Sequence, residues 1–370
     1  MNQKKQPKQF DIKQFNYTYS NGMGQSSKTH LEEQPEEFTE PEKPRKKRKW
    51  LKRLFIFLLL LVILAGIAAS LAYFYIGKTE LKGEDTGRVN FVVSGIDQAA
   101  KLSDTLMIIS IDTSPEEEAD YKAALISVPR DLYVKIPPFG FNKINAAYSL
   151  GEANKTSGGG LGLVRSTVEN TFAVDVNYQI ALDFEAFKDM VDAVDGVTID
   201  VPVALRDPYY PTENGGNQLV EFSKGEQQMD GETALKYARS RQTTTDFDRA
   251  ARQQQVVLAV KDKMLDPKFA LDKDKVAKLF ELFDKNVQTD LTNREILRLG
   301  DIGRQLKDSN ITRHVLDNES DNLLVSGNRA GYTLSPRTGN FTEIQEFIEN
   351  IFTTSKNTLP TSHDPTKNQD

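Results

Sequence analysis

The sequence predicts an α/β domain over residues 89–354, preceded by one membrane-spanning helix. Short apolar runs bounded by turn residues alternate with stretches of helical period, as expected of strands and helices interleaved in one domain. A run without a single charge, LFIFLLLLVILAGIAASLAYFYIG at 54–77, precedes them. Hydrophobic content of 38% and charged content of 27% suit a folded domain carrying polar appendages.

Residues 1–53 are poor in large aliphatics and end in RKKRKWLKR, so they read as a disordered tail with a basic end. Residues 54–76, as a helix, would reach about 34 Å, enough for a hydrocarbon core of roughly 30 Å. A cleaved signal peptide has a shorter apolar region nearer the N-terminus. The seven positive residues of 45–53 keep the tail in the cytoplasm and send the domain outside, a single-pass type II topology in the cell membrane. The same basic run also suits anionic lipid, or a nucleic acid. Residues 77–88 read as a polar stalk.

VNFVVSGI (89–96), TLMIISID (105–112), KAALISVP (122–129) and NYQIALDF (177–184) read as strands. VTIDVPV (197–203) reads as a fifth, with Pro202 at its edge or end. GLVRSTVENTF (162–172) is helical. Phe184, Phe187, Val191 and Val194 share one face of a helix that Gly196 stops. That stripe is core, or the lining of an apolar pocket. Asp230 caps one later helix and Asp246 a long one. TNRE at 292–295 is a capping box opening a helix through Leu299. ITRHVLD and NLLVSG are strand-like, and 355–370 read as a polar tail.

Charge poses the functional question. The first 77 residues hold 13 Lys+Arg and 7 Asp+Glu, so residues 78–370 keep 34 and 46, a net of −12. Yet YARSRQTTTDFDRAARQQQ (237–255) gathers Arg239, Arg241, Arg249 and Arg252. A broad nucleic-acid surface does not fit a domain so acidic. Arg249 and Arg252 lie on one face near a helix N-terminus, against the dipole, where a phosphate is at home. Arg239 and Arg241 face the same way if the chain is extended there. The cluster therefore suits an anion with several oxygens, such as a pyrophosphate. An ion-pair network with neighbouring acids is the bland alternative.

Asp97 ends the first strand and Asp104 precedes the second, so a hairpin brings both carboxylates to one end of the sheet. That serves a hard divalent cation, or simply two turns. Arg130 and Asp131 end the third strand, a usual place for a site in an α/β fold. The absence of cysteine excludes disulfides and thiolate chemistry, and with His30, His314 and His363 remote from these motifs a histidine triad is not expected. No nucleotide-binding loop of the G-x-x-x-x-G-K-[ST] type occurs.

The order and spacing of NFVVSGID…SDTLMIISID, ISVPRDLYVKIP, KINAAYSLG, FKDMVDAVDGVTIDV, MDGETALKYARSR and DFDRAARQQ resemble the LytR-CpsA-Psr family over Val89 to Val260. The resemblance implies a central mixed β-sheet flanked by helices, with an apolar pocket for a polyprenyl chain to which Phe184, Phe187 and Val191 are assigned. It implies transfer of a teichoic acid, capsular or similar polysaccharide from undecaprenyl pyrophosphate to a peptidoglycan hydroxyl through a phosphodiester. Asp97 and Asp104 would hold Mg2+, and Arg130, Arg239, Arg241 and Arg249 the pyrophosphate. Arg252, Gln253, Lys143 and Asn145 are assigned to substrate binding, and Asp131 or a metal-bound aspartate is the candidate base. The partners are then the lipid-linked polymer, peptidoglycan and the membrane, with no nucleic acid. Hydrolysis at the same site, a membrane-bound transcriptional regulator and a non-catalytic lipid-binding scaffold are the rival functions. Asp248 stands where glycine is frequent in the family motif, which leaves the role of that carboxylate open.

Overall fold

Four of the five expected strands build the centre of one sheet in the computed structural model. It describes residues 79–353 apart from 99–100, 115–120, 213–214, 242–244, 320–322 and 330. The basic tail, the apolar run 54–76 and the C-terminal tail lie outside the described residues. Among those residues no helix is long and apolar enough to cross a membrane.

The chain runs through β1 (Arg88–Asp97), β2 (Leu102–Asp112) and β3 (Lys122–Val128), then a small hairpin, β4 (Tyr133–Ile136) and β5 (Gly140–Lys143). Helices α1 (Ala146–Ala153) and α2 (Gly159–Phe172) lead to β6 (Tyr178–Leu182) and α3 (Phe184–Ala193). Next come β7 (Val197–Val201), β8 (Leu205–Pro211), β9 (Asn217–Phe222) and β10 (Gly225–Met229). Helices α4 (Gly231–Arg239), α5 (Asp246–Leu265), α6 (Pro267–Ala270) and α7 (Lys273–Asn286) follow. The last elements are β11 (Gln288–Thr289), α8 (Asn293–Gln305), β12 (Ile311–Val315), β13 (Leu324–Gly327), β14 (Thr333–Pro336) and α9 (Thr342–Glu349).

The main sheet has the order β11-β6-β1-β2-β3-β12. It is mixed: β2 is antiparallel to β1 and β3, whereas β6 runs parallel to β1 and β12 parallel to β3. Both faces are covered, which is why the strands read as continuous apolar runs rather than alternating ones. Val92, Ile108 and Ile126 pack with Val164, Val168 and Ile348 on one face. Phe91, Ile111 and Tyr178 pack with Ile302 on the other. A third cluster joins α3, α4 and α5 around Val191, Val197, Tyr237 and Val256.

The expected fifth strand forms, but outside this sheet. It pairs with β10 and ends at Val201, so Pro202, which lacks a donor N–H, falls just beyond the ladder. The stretch read as a stalk is tied to the domain from Leu81 onward. Leu81 is buried, Lys82 N–H donates to the Tyr178 hydroxyl at 2.7 Å, and Glu84 pairs with Arg298.

Helix starts show how local chemistry sets the stage for the site. Asp183 caps α3 and Asp230 caps α4, each accepting from the backbone N–H three residues on. The cap of α5 is Thr245, not the expected Asp246. Thr245 Oγ1 accepts from Asp248 N–H, and Asp248 Oδ2 accepts from Thr245 N–H at 2.7 Å, a complete capping box. This gives the carboxylate that departs from the family motif a structural role, and it releases Asp246 for other partners. The capping box at Thr292 forms as expected, but its helix runs past Leu299 to Gln305.

Candidate active site

The β1–β2 hairpin, the end of β3, the α4–α5 junction and the β8–β9 hairpin converge on one open cleft of about 860 Å³. Asp104, Arg130, Phe184, Arg239, Arg241, Arg249 and Gln253 all line it. These are seven residues proposed from the sequence, drawn from segments more than 140 positions apart.

Backbone geometry explains the convergence. A register shift between Gly95 and Ile96 sets Gly95 opposite Thr105, and places Asp104 at the sheet end beside the tip of β3. Arg130 Nη1 donates to Asp104 Oδ1 at 3.1 Å. Helix α4 ends at Arg239, and Ser240 is extended (φ −60°, ψ 143°), so Arg239 and Arg241 both reach the cleft. Arg239 stacks over the Phe184 ring at 3.9 Å and also lies 5.5 Å from Tyr210. Arg249, one turn into α5, is buried. It donates to Asp104 O at 3.1 Å and to Asp246 Oδ2 at 2.9 Å.

Asp246 is the hub of the cluster. It lies 2.9 Å from Arg249, 3.6 Å from Arg241 and 3.7 Å from Arg130. Its charge offsets only part of the positive field. Burial lowers the Arg249 pKa to about 10, with Asp246 opposing and Arg241 and Arg130 reinforcing the drop. Burial also lowers the Arg241 pKa, and Arg130 lowers it further. For Arg130 burial works downward, but Asp246 and Asp104 outweigh it and the pKa is raised. Arg130 Nε and Arg249 Nε are buried without a hydrogen-bond acceptor. A cleft that crowds guanidinium groups and leaves two buried Nε donors without acceptors has the chemistry to hold a multiply charged oxyanion.

Several sequence-proposed residues lie elsewhere. Arg252 does not line the cleft: its side chain turns back under α4, where Nε donates to Tyr237 O at 3.0 Å and Nη2 donates to Ser240 O. It ties the α4–α5 junction through these carbonyls, whereas Arg249 bonds Asp104 and Asp246. Val191 is buried in the core beneath α3, and Phe187 packs against the same cluster, so only Phe184 of that stripe reaches the cleft. Lys143 Nζ binds Asp131 Oδ1 at 2.6 Å. Asn145 accepts from Ser103 N–H and donates its own N–H to Arg130 O at 3.3 Å, which ties the β2 and β3 ends together. Asp131 faces an adjoining recess. Asp97 pairs with Leu102 at the same hairpin end as Asp104 but does not line the cleft.

The LytR_cpsA_psr family profile matches residues 69–346, three quarters of the chain. The chain belongs to the LytR-CpsA-Psr family. TagU of Oceanobacillus iheyensis, a polyisoprenyl-teichoic acid–peptidoglycan teichoic acid transferase, is 30% identical over 278 residues, covering 68% of this chain and 81% of that protein. The Staphylococcus aureus regulatory protein MsrR is 30% identical over 223 residues, 59% of this chain and 61% of its own. The crystal structure of Bacillus subtilis TagV superposes with a TM-score of 0.57 at 26% identity, over 72% of this chain and 98% of that one.

Within this LytR-CpsA-Psr domain, the sequence reading missed Asp207, Tyr209 and Pro211, which the β8–β9 hairpin brings to the cleft. Asp207 accepts from Arg241 N–H at 3.0 Å and so holds the segment after α4. The signal in the sequence was weak. LRDPYYP breaks alternation at Pro208, where the ladder is irregular between Asp207 and Tyr210.

Proposed function

We propose that this LytR-CpsA-Psr protein transfers a teichoic acid or related glycopolymer from a polyprenyl-pyrophosphate carrier to a peptidoglycan hydroxyl, forming a phosphodiester. The observation that carries the reading is the convergence of Arg130, Arg239, Arg241 and Arg249 on one cleft with Asp104 at its edge. Its relatives TagU, TagV and TagT are named as transferases of this kind.

The donor pyrophosphate would sit among the four guanidinium groups. Arg130 Nε and Arg249 Nε would find acceptors there, and the charge that accumulates on the phosphoryl oxygens during transfer would meet fixed donors. Phe184 offers an apolar floor beside Arg239 for the first isoprene units. Asp131 is the candidate to take the hydroxyl proton. The Lys143 ammonium at 2.6 Å holds it in place. A loose phosphoryl transition state asks little basicity of such a group.

Asp97 and Asp104 are proposed to hold Mg2+. Among the described residues no three His, Cys, Asp or Glu side chains gather as a metal cage. Two carboxylates with water and substrate phosphate completing the shell fit Mg2+ and do not fit a zinc or calcium cage. When bound, the ion would supply charge neutralisation at the pyrophosphate.

Residues 54–76 are proposed as the anchor that holds the site near the lipid carrier, with residues 1–53 cytoplasmic. The test uses the purified full-length chain with a lipid-linked donor. Arg130→Ala and Arg249→Ala should keep their fold by circular dichroism and lose transfer; wild-type turnover in both rejects the clamp. The regulator named among the relatives motivates one control: sequence-selective binding of DNA by residues 1–53 in a salt series would favour that function instead.

A further inference from the structure

Beside the arginine cleft lies a second recess of about 620 Å³. Asp131, Thr245, Asp246, Asn318, Glu319 and Tyr332 give it its polar character. The two spaces meet at one side chain. Arg130 lines the cleft, and its Nε lies 3.7 Å from both Asp131 Oδ2 and Asp246 Oδ2, the carboxylates that face the recess.

The chemistry of the recess is opposite to that of the cleft. Among the described residues three carboxylates and no Lys or Arg line it, so it accepts hydrogen bonds from hydroxyl and amide groups, with Asp131 and Asp246 held in place by ion pairs to Lys143 and Arg130. Tyr332 lines it, and the rings of Tyr133 and Phe141 sit on the β4–β5 hairpin that follows Asp131 in the chain. Tyr332 is 52% exposed and Phe141 is 63% exposed. Phe141 stacks on Tyr133 with centroids 5.8 Å apart, and Arg329, three residues before Tyr332, lies over the Tyr133 ring. The bridge between Leu132 and Leu334, with Leu334 N–H donating to Asp131 O at 3.0 Å, fixes this aromatic strip to the floor of the recess. Exposed rings leading to a carboxylate-lined hollow suit a neutral sugar, whose C–H faces pack on rings while its hydroxyls donate to carboxylates.

We infer that this recess seats the acceptor: an uncharged glycan strand lies along Phe141, Tyr133 and Tyr332 and presents one hydroxyl past Asp131 and Asp246 to the phosphate held by Arg130. The inference rests on the proposed transfer and adds to it the acceptor's site and direction of approach. The hydroxyl oxygen attacks the polymer-side phosphorus from the recess, and its proton passes to the Asp131 carboxylate. The bond from that phosphorus to the bridging oxygen breaks, and the lipid monophosphate leaves on the opposite side, toward Phe184. An in-line displacement requires this opposition of entering and leaving groups.

The experiment uses the full-length chain in detergent, a lipid-linked donor and a soluble β-1,4-linked N-acetylglucosamine tetrasaccharide as acceptor. Tyr332→Ala and Phe141→Ala should each raise the acceptor KM roughly tenfold, as expected for one lost aromatic contact at a recognition site. Donor hydrolysis without acceptor should stay within about twofold, since neither ring borders the arginine cleft. An unchanged acceptor KM, or a parallel fall in hydrolysis and transfer, overturns the inference. If the wild-type chain neither hydrolyses nor transfers, the proposed function fails instead. Saturation-transfer NMR with the tetrasaccharide then decides the recess alone: a signal lost in the double variant supports it, and no signal with wild type ends it.

Discussion

Replacing Arg249 with methionine separates the work of the site from the stability of the fold. Burial lowers the Arg249 pKa from the ordinary guanidinium range to about 10, so keeping this side chain charged costs the folded state about 3 kcal/mol. Methionine removes that cost and fills much of the same volume. It also leaves Asp104 O without its 3.1 Å donor, a loss of roughly 1–3 kcal/mol. Asp246 keeps Arg130 and Arg241 as partners. At pH 7 the variant should therefore be as stable as wild type, or up to about 2 kcal/mol more stable, while transfer falls roughly 10²–10³-fold. The pH dependence has a definite sign. A base whose pKa is lowered by folding penalises the native state below about pH 10, and the penalty fades as pH rises through that value, because the unfolded chain then binds the extra proton. The advantage of Arg249→Met should shrink between pH 9 and 11. Urea unfolding of both proteins at several pH values, beside a transfer assay, measures this. A variant that loses more than about 1 kcal/mol at pH 7, or transfers at the wild-type rate, would falsify the account of Arg249 as a charge held at a cost for catalysis.

Further outcomes follow from other contacts. Asp97→Asn and Asp104→Asn should raise the magnesium concentration giving half-maximal transfer by at least roughly tenfold, the effect of losing even an outer-shell partner; an unchanged magnesium titration in both rejects them as ligands. Thr245→Ala removes the hydroxyl that caps α5 and should cost about 1 kcal/mol in thermal unfolding, and no loss at all would mean that Asp248 alone holds the helix start. Phe184→Ala should weaken the hold on Arg239 by about 1 kcal/mol, seen as a several-fold higher donor KM with the acceptor KM unchanged; an unchanged donor KM would place Phe184 outside the donor site.

Much of the site was legible because its residue types are locally unusual. Four arginines within 239–252 of an acidic domain call for an anion, and Asp97 and Asp104 flank a turn between two apolar runs. The roles of their neighbours were not legible. Asp246 read as a helix cap because Asp is a good one, yet Thr245 with Asp248 satisfies the helix start and leaves Asp246 to join three arginines. Arg252 has the composition and spacing of a site residue. It became a brace because α4 packs back over α5 and presents two carbonyls to it.

From the sequence by itself came the elements whose signals are local: apolar runs for β1, β2, β3 and β6, the stop at Gly196, the capping box at Thr292, and the arginines set in family order. Tertiary structure alone decided which of those side chains share one space. Arg249 meets the carbonyl of Asp104 across 145 positions, and the β8–β9 hairpin delivers Asp207 to the N–H of Arg241 across 34. Strand and helix periods say which face a residue occupies. Which distant element covers that face depends on how the sheet orders its strands and how the helices pack against it, and those contacts have no local signature.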